Sequence, residues 1–385
     1  MIKKIINKRV IIRARLGFRY IVKYFSDEIF EAFNPDYSVL KPLDVVIERT
    51  YSCNLRCQTC FRWTSKPNEK ELNFKEWTAV IEKLKNWIGT FSLSITGGEP
   101  FLREDMIDII NFATTKDITT TVGSNATLID KKLAERIVSS GLDSLALSLN
   151  SVTPGVHNRM RGDEGNFGDV MRVIELLKNR GNMWLSLGTT IINENISELV
   201  DLAEFTRDKG LDGITFQPLM ETSSLPIFDE KGESRQLPEG KYFKELGKNS
   251  NGIDEVFERL ITMKTEGYPI NNSARHLSYM CKYLKNPLDP EILKLPCKIG
   301  SKNFPIDPFG NVRICSLMEP IGNLRDDLPE KIWNSDKARN QRQMIRKCRK
   351  SCRILTCTFK NLDLGFKLRK LSRSFPEVFK KGADK

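Results

Sequence analysis

The sequence predicts an α/β protein of repeated βα units followed by a smaller cysteine-rich region. Three observations carry this. From about residue 44, short apolar runs alternate with amphipathic ones; glycines fall where the helices should end; and after residue 218 the rhythm fails, with most of the remaining cysteines in 297–357. The strand candidates are Val45–Glu48, Phe91–Ile95, Ile118–Val122, Ser144–Leu149, Trp184–Thr190 and Gly213–Phe216. Helix candidates lie between them near 74–88, 104–115, 130–140, 168–180 and 196–209, with Asp130 and Asn195 at N-cap positions and Gly141, Gly181 and Gly210 at C-terminal ones. Strands separated by helices form a parallel sheet. Six such units are too few for a closed eight-stranded barrel, which leaves an open barrel or a doubly wound sheet.

At 385 residues the chain exceeds what one compact core needs. Its expected segments are a basic amphipathic extension (1–43), the βα core (44–220), a connector of helices and loops (221–295), a cysteine-rich domain (296–360) and a basic tail (361–385). No stretch approaches 18 uncharged apolar residues, which excludes a spanning helix. The basic N-terminus is not followed by an apolar segment with a small-residue cleavage site, so no secretory signal is read and a cytoplasmic location is expected. Nine cysteines in that setting stay reduced, and an odd number cannot pair off. Metal or iron–sulfur ligation is their better reading. With only His157 and His276 present, a histidine triad or a His-rich metal site has little material.

The net charge of +12 is uneven: residues 1–26 carry +8 with no acidic residue, residues 337–385 carry +13, and the stretch between is −9. An acidic body with two basic ends does not read as a nucleic-acid groove. In the first end, Ile2, Ile5, Ile6, Ile12 and Leu16 recur near helical spacing ahead of an aromatic-basic stretch over 18–25. That pattern suits a helix lying peripherally on an anionic membrane. The competing reading is a helix packed on the body with its basic side solvated.

Chemistry enters with Cys53-Asn-Leu-Arg-Cys57-Gln-Thr-Cys60, directly after the first strand. Three thiolates on one short loop bind three irons of a 4Fe–4S cube and leave the fourth open for a substrate or cofactor, whereas tetrahedral zinc wants a fourth ligand that is not nearby. Gly97-Gly98-Glu99-Pro100 follows the second strand, Ser124-Asn125 the third, Ser148 and Asn150 end the fourth, and Gln217 ends the sixth. Strand C-terminal ends are where barrel enzymes assemble their sites. The glycines allow close approach of backbone to a ligand, Glu99 offers an acceptor for an ammonium, and Arg161 suits a carboxylate. Together they describe a site for a zwitterionic amino acid carrying a ribose.

The Cys-x3-Cys-x2-Cys loop with GGEP after the next strand resembles the radical S-adenosylmethionine (SAM) superfamily over roughly residues 44–218. The resemblance implies a partial (β/α)6 TIM-like barrel. It implies a 4Fe–4S cluster on Cys53, Cys57 and Cys60 whose open iron chelates SAM, and reductive cleavage of SAM to a 5′-deoxyadenosyl radical. By the same resemblance Gly97, Gly98 and Glu99 with Pro100 take the methionyl ammonium, Ser124 or Asn125 the ribose, and Ser148 and Arg161 the carboxylate. Gln217 completes the expected cofactor set. The family usually has an aromatic residue before the third cysteine; here Thr59 stands there, and Phe61 is the substitute.

Downstream, Asp307-Pro-Phe-Gly-Asn-Val-Arg-Ile-Cys315 reads as a tight hairpin turning at Gly310-Asn311. With Cys297 before it, the segment resembles the SPASM or twitch extensions of radical SAM enzymes. The full SPASM run is absent, and Cys348-x3-Cys352-x4-Cys357 stands in its place. Six downstream cysteines cannot fully ligate two cubes, so one auxiliary 4Fe–4S cluster is expected on Cys297, Cys315, Cys348 and Cys352 or Cys357, with structural zinc as the alternative and Cys281 a buried thiol. The expectation is a radical SAM enzyme that oxidises or cross-links its substrate, fed by an external one-electron reductant such as flavodoxin or ferredoxin. No separate peptide-recognition domain is read, which favours a small molecule, sugar or lipid-linked substrate over a ribosomal peptide. An alternative of another class is a non-catalytic iron–sulfur or zinc module that binds RNA or membrane through its basic ends.

Overall fold

The computed structural model describes residues 11–23, 25–26, 41–60, 62–64, 70–162, 166–219, 226–228, 234–236 and 252–359. Phe61 and the basic tail lie outside the described residues. The strands β1 (Asp44–Glu48), β2 (Ser92–Thr96), β3 (Thr119–Ser124), β4 (Ser144–Ser148), β5 (Trp184–Ile191) and β6 (Gly213–Pro218) pair in parallel and in chain order. Helices α2 (Phe74–Ile88), α3 (Met106–Thr115), α4 (Lys131–Ser139), α5 (Pro154–Arg161), α6 (Phe167–Leu176) and α7 (Leu199–Asp208) connect them, giving the expected partial (β/α)6 barrel.

Local chemistry explains where these elements begin and end. Helix α2 starts at Asn73, whose side chain accepts from the Glu76 amide while Glu76 accepts from the Asn73 amide, and its buried stripe is Trp77, Val80, Ile81, Leu84, Trp87 and Ile88. Asp130 caps α4 as the sequence suggests, accepting from Leu133 N at 2.7 Å. Asn195 does not cap α7. Its buried amide accepts from Ile192 N and donates to Asn150 O (2.6 Å) and Thr190 O (2.9 Å), and the helix begins four residues later at Leu199. A side chain already engaged by three backbone groups is not available for a helix N-terminus.

Strands β7 (Pro226–Phe228) and β8 (Ser234–Gln236) form a separate antiparallel pair. The cysteine-rich region is built onto the barrel. Strand β9 (Asn303–Ile306) pairs in parallel with the free side of β1, matching Val45 with Phe304, and β10 (Asn311–Val312) and β11 (Gly322–Asn323) extend the same sheet antiparallel. The turn between β9 and β10 is the expected one: the Asp307 carboxylate accepts from Phe309 N and Asn311 N, and Gly310 is left-handed at φ 90°. Trp87 of α2 packs edge-on against Phe304 at 5.7 Å, and Trp333 lies 5.8 Å from Phe304, so one core runs through both parts. Between barrel and hairpin come α8 (Ile253–Thr265), α9 (Ala274–Lys285), α10 (Pro290–Lys294) and α11 (Ile299–Lys302); α12 (Pro329–Trp333) and α13 (Asp336–Lys347) follow it.

Residues 11–23 form a helix, α1, that lies across the N-terminal ends of the strands. Arg13 binds Asp143 ahead of β4 at 2.6 Å, Arg19 donates to the carbonyls of Ile88 and Thr90 ahead of β2, and Tyr20 donates to Asp44 at the start of β1. The helix therefore packs on the body, but with two of its arginines facing inward rather than solvated. Among the described residues no helix is long and apolar enough to cross a membrane.

Candidate active site

The cysteine loop leaves the C-terminal end of β1 and is clamped from three sides. Glu71 accepts from the Thr50 hydroxyl (2.8 Å) and Tyr51 N (3.0 Å). The GGEP turn after β2 donates from Gly98 N to Thr50 O (2.7 Å) and from Glu99 N to Ser52 O (2.9 Å). A Cβ on Gly97 would lie 2.3 Å from Thr50 O and one on Gly98 2.0 Å from Ser52 O. Both glycines are therefore demanded by contact with the backbone leading into Cys53, not by open space for a ligand. From the third side comes the end of α5: Gln58 N donates to Met160 O, and a Cβ on left-handed Gly162 would lie 2.8 Å from Arg56 O.

Glu99 is 1% exposed, and its carboxylate is taken by Ser124 Oγ (3.0 Å), Asn125 N (2.7 Å) and Phe101 N (3.2 Å). Burial raises its pKa against these stabilising donors. Glu99 thus holds the Ser124-Asn125 loop beside the cysteines, where Asn125 Nδ2 reaches Asn54 Oδ1 at 2.9 Å and Cys53 Sγ at 4.0 Å. Burial lifts the Cys53 and Cys57 thiols, and Arg161 opposes the rise at both.

His157, buried in α5, braces this face. Nδ1 accepts from Asn150 N (3.1 Å), so Nε2 carries the proton and donates to Asn166 Oδ1 (3.0 Å), and Asn166 in turn donates to Asn125 O. Burial drives the His157 pKa down to about 4, keeping the ring neutral. The ends of β3 and β4 are joined through one imidazole. The role of His157 is not legible in the sequence, where its one signal is its place two residues before the run Arg159-Met160-Arg161-Gly162.

The second cysteine set assembles from separate segments. Cys297 precedes α11, Cys315 follows β10, Cys348 ends α13, and Cys352 and Cys357 lie on the loop after it. Burial first, then the neighbouring thiols Cys315, Cys297, Cys348 and Cys357, push Cys352 up to about 12; burial and the thiols Cys297, Cys348 and Cys357 put Cys315 at about 11. The loop is tethered by Arg353 to Leu295 O and Cys348 O, and by His276 Nε2 to Ile354 O at 2.7 Å. His276 Nδ1 faces Asn272 Nδ2, which also donates to Phe216 O, while Phe216 N donates to Asn272 Oδ1, anchoring the loop to β6. Cys281 stays apart on α9 as a buried thiol donating to Asp254 at 3.3 Å.

Gln217, at the end of β6, reaches the second cysteine set. Its Oε1 accepts from Thr356 N (3.0 Å) and Thr356 Oγ1 (2.6 Å), between Cys352 and Cys357. Asn150 likewise does structural work, its Oδ1 accepting from Thr190 N at 3.0 Å.

Residues 47–206 match the radical SAM superfamily, and residues 297–358 match SPASM, an iron-sulfur cluster-binding domain. The "Probable GTP 3',8-cyclase" of Methanopyrus kandleri is 30% identical over 288 residues, covering 74% of this chain and 85% of that protein. The chain belongs to the radical SAM superfamily. The antilisterial bacteriocin subtilosin biosynthesis protein AlbA of Bacillus subtilis is 25% identical over 302 residues, 76% of this chain and 60% of AlbA, so the chain spans about three fifths of that relative. In fold, the chain is similar to anSMEcpe with bound AdoMet and Cp18Cys peptide, with a TM-score of 0.58 at 18% identity over 87% of this chain and 96% of that one.

Radical SAM proteins use a 4Fe–4S cluster and SAM, and the SPASM domain adds iron–sulfur ligation. The residues present fit both groups. Three cysteines share the first loop, and the buried Nε of Arg161 beside them has no hydrogen-bond partner, as a side chain awaiting a carboxylate would not. Among the described residues no three Cys, His, Asp or Glu side chains close around a single ion, whereas a cube takes its thiolates on separate corners.

Proposed function

We propose that this protein is a radical SAM enzyme that cleaves SAM reductively and oxidises a substrate with the help of a second iron–sulfur cluster. The observation that carries the reading is the contact between the barrel mouth and the second cysteine set: the end of β6 reaches through Gln217 to the loop between Cys352 and Cys357. An electron acceptor held by that loop adjoins the place where a substrate radical forms.

In this reading Cys53, Cys57 and Cys60 hold the SAM-binding cluster, which when bound supplies the electron that cleaves SAM. Arg161, with Ser148, takes the methionyl carboxylate. Ser124 and Asn125, fixed by Glu99 and the His157–Asn166 pair, meet the ribose, and the Gly97–Pro100 turn meets the ammonium. Cys297, Cys315, Cys348 and either Cys352 or Cys357 hold the auxiliary cluster. The electron comes from an external carrier such as flavodoxin or ferredoxin. The substrate class we infer is a peptide, in place of the small or lipid-linked molecule that the sequence alone favours. AlbA, aligned over 76% of this chain, is by name a bacteriocin biosynthesis protein.

Anaerobically reconstituted protein given SAM and dithionite should release 5′-deoxyadenosine. With peptides encoded by neighbouring genes it should also yield a product that has lost hydrogen mass. Turnover of a nucleotide or sugar alone would overturn the peptide reading and leave SAM cleavage standing; absence of 5′-deoxyadenosine would overturn both.

A further inference from the structure

We propose that the outward face of α1 docks the protein on an anionic lipid surface with the barrel mouth turned toward the water. Helix α1 is two-sided in an unusual sense. Its inner face, Arg13, Leu16, Arg19 and Tyr20, is fastened to the strand starts, with Leu16 buried. On the opposite side, Ile11, Phe18 and Val22 recur at helical spacing and are 50%, 67% and 46% exposed, flanked by Ile21 at 38% and Phe25 at 58%. An apolar stripe of this kind on a helix held flat against a body is the form of an interfacial anchor.

Charge decides the occupant. Residues 1–26 carry eight basic residues and no acidic one. Besides the inward-facing Arg13 and Arg19, these are Lys3, Lys4, Lys8, Arg9, Lys23 and the exposed Arg15. A second copy would set like charge against like. An anionic bilayer complements both the stripe and the charge, each basic residue engaged tightening binding roughly fivefold.

The geometry fixes the orientation as well. The α1 contacts lie at the N-terminal ends of β1, β2 and β4, and the cysteine loop lies beyond the C-terminal end of β1. At about 3.3 Å per residue, a five-residue strand separates them by about 16 Å, more than the roughly 5–10 Å to which an interfacial helix sinks. Substrate then enters from the aqueous side, and a lipid headgroup does not reach the site of a docked molecule. This inference does not rest on the proposed reaction.

Sedimentation of the full chain with vesicles tests it. Wild type should bind phosphatidylcholine vesicles containing about a third phosphatidylglycerol, ignore pure phosphatidylcholine, and lose at least about tenfold in affinity as salt rises to 1 M and the Debye length falls to about 3 Å. The double variant Phe18→Glu/Val22→Glu should bind at least about tenfold more weakly with an unchanged melting temperature, since both side chains face out. If that variant fails to fold, Arg15→Glu serves instead, with an expected loss of roughly fivefold or more. Failure of wild type to bind anionic vesicles at low salt would overturn the proposal. So would equal binding by the variants, or a dimer that Phe18→Glu/Val22→Glu dissolves while vesicles are ignored.

Discussion

The two cysteine sites differ in how the chain delivers their ligands. Cys53, Cys57 and Cys60 arrive within eight residues on a loop that one strand presents, and the surroundings only have to hold that loop still. Glu71, the GGEP turn and the end of α5 do so with backbone contacts that tolerate no Cβ at Gly97 or Gly98. The second set draws on segments up to 60 residues apart, from Cys297 to Cys357, and depends on a strand, β9, added to the barrel's own sheet. Each site is nevertheless braced by one of the chain's two histidines, both neutral and both bridging a loop to a strand end: His157 for the first, His276 for the second. A local motif needs a clamp, whereas a dispersed one needs the fold itself.

The largest effect that separates the sites is loss of one cluster at a time. Replacing Cys53, Cys57 and Cys60 with Ala should abolish SAM cleavage to background and leave about four irons of about eight, as read by iron analysis of anaerobic protein. Cys297→Ala/Cys315→Ala should instead retain 5′-deoxyadenosine release while product formation stops. Zinc in place of iron in protein purified anaerobically would break the comparison.

Next comes acid. Both histidines are depressed from 6.5 to about 4 by burial, so the unfolded chain binds more protons between those values. Stability is full above about pH 6.5 and falls as pH drops toward 4, by about 3 kcal/mol per histidine. Apo wild type should show that loss in urea titrations at pH 7 and 4.5. His157→Gln and His276→Gln should each flatten the slope, and equal slopes in all three proteins would remove the histidines from the account.

His157→Ala orphans Asn150 N and Asn166 Oδ1 and leaves a cavity, costing about 2–4 kcal/mol. Its second consequence sharpens the comparison: SAM affinity should fall with the second cluster's iron intact, while His276→Ala should do the reverse. The smallest effect is at the junction. Thr356→Val removes the hydroxyl donated to Gln217, worth about 1 kcal/mol, and should raise the ratio of 5′-deoxyadenosine to product without slowing SAM cleavage. An unchanged ratio would make that contact purely structural.

What the sequence revealed divides along the same line. The six strands, the helices between them, the hairpin at Gly310 and both cysteine sets were legible, because periodicity, caps, turns and ligand spacing are local signals. Long-range pairings were not. Nothing near residue 44 or 303 announces that β1 and β9 lie side by side. Gln217 read as a cofactor residue because it ends a barrel strand; its partner Thr356 is 139 positions away. The inward turn of Arg13 and Arg19 depended on Asp143 and on carbonyls that only the fold assembles.

Electron paramagnetic resonance of the reduced protein, before and after SAM is added, distinguishes one SAM-responsive cluster from one that ignores SAM. SAM should reshape the signal of wild type and of Cys297→Ala/Cys315→Ala, and leave unchanged the signal that remains when Cys53, Cys57 and Cys60 are replaced by Ala. A SAM-dependent change in that last protein would contradict that division.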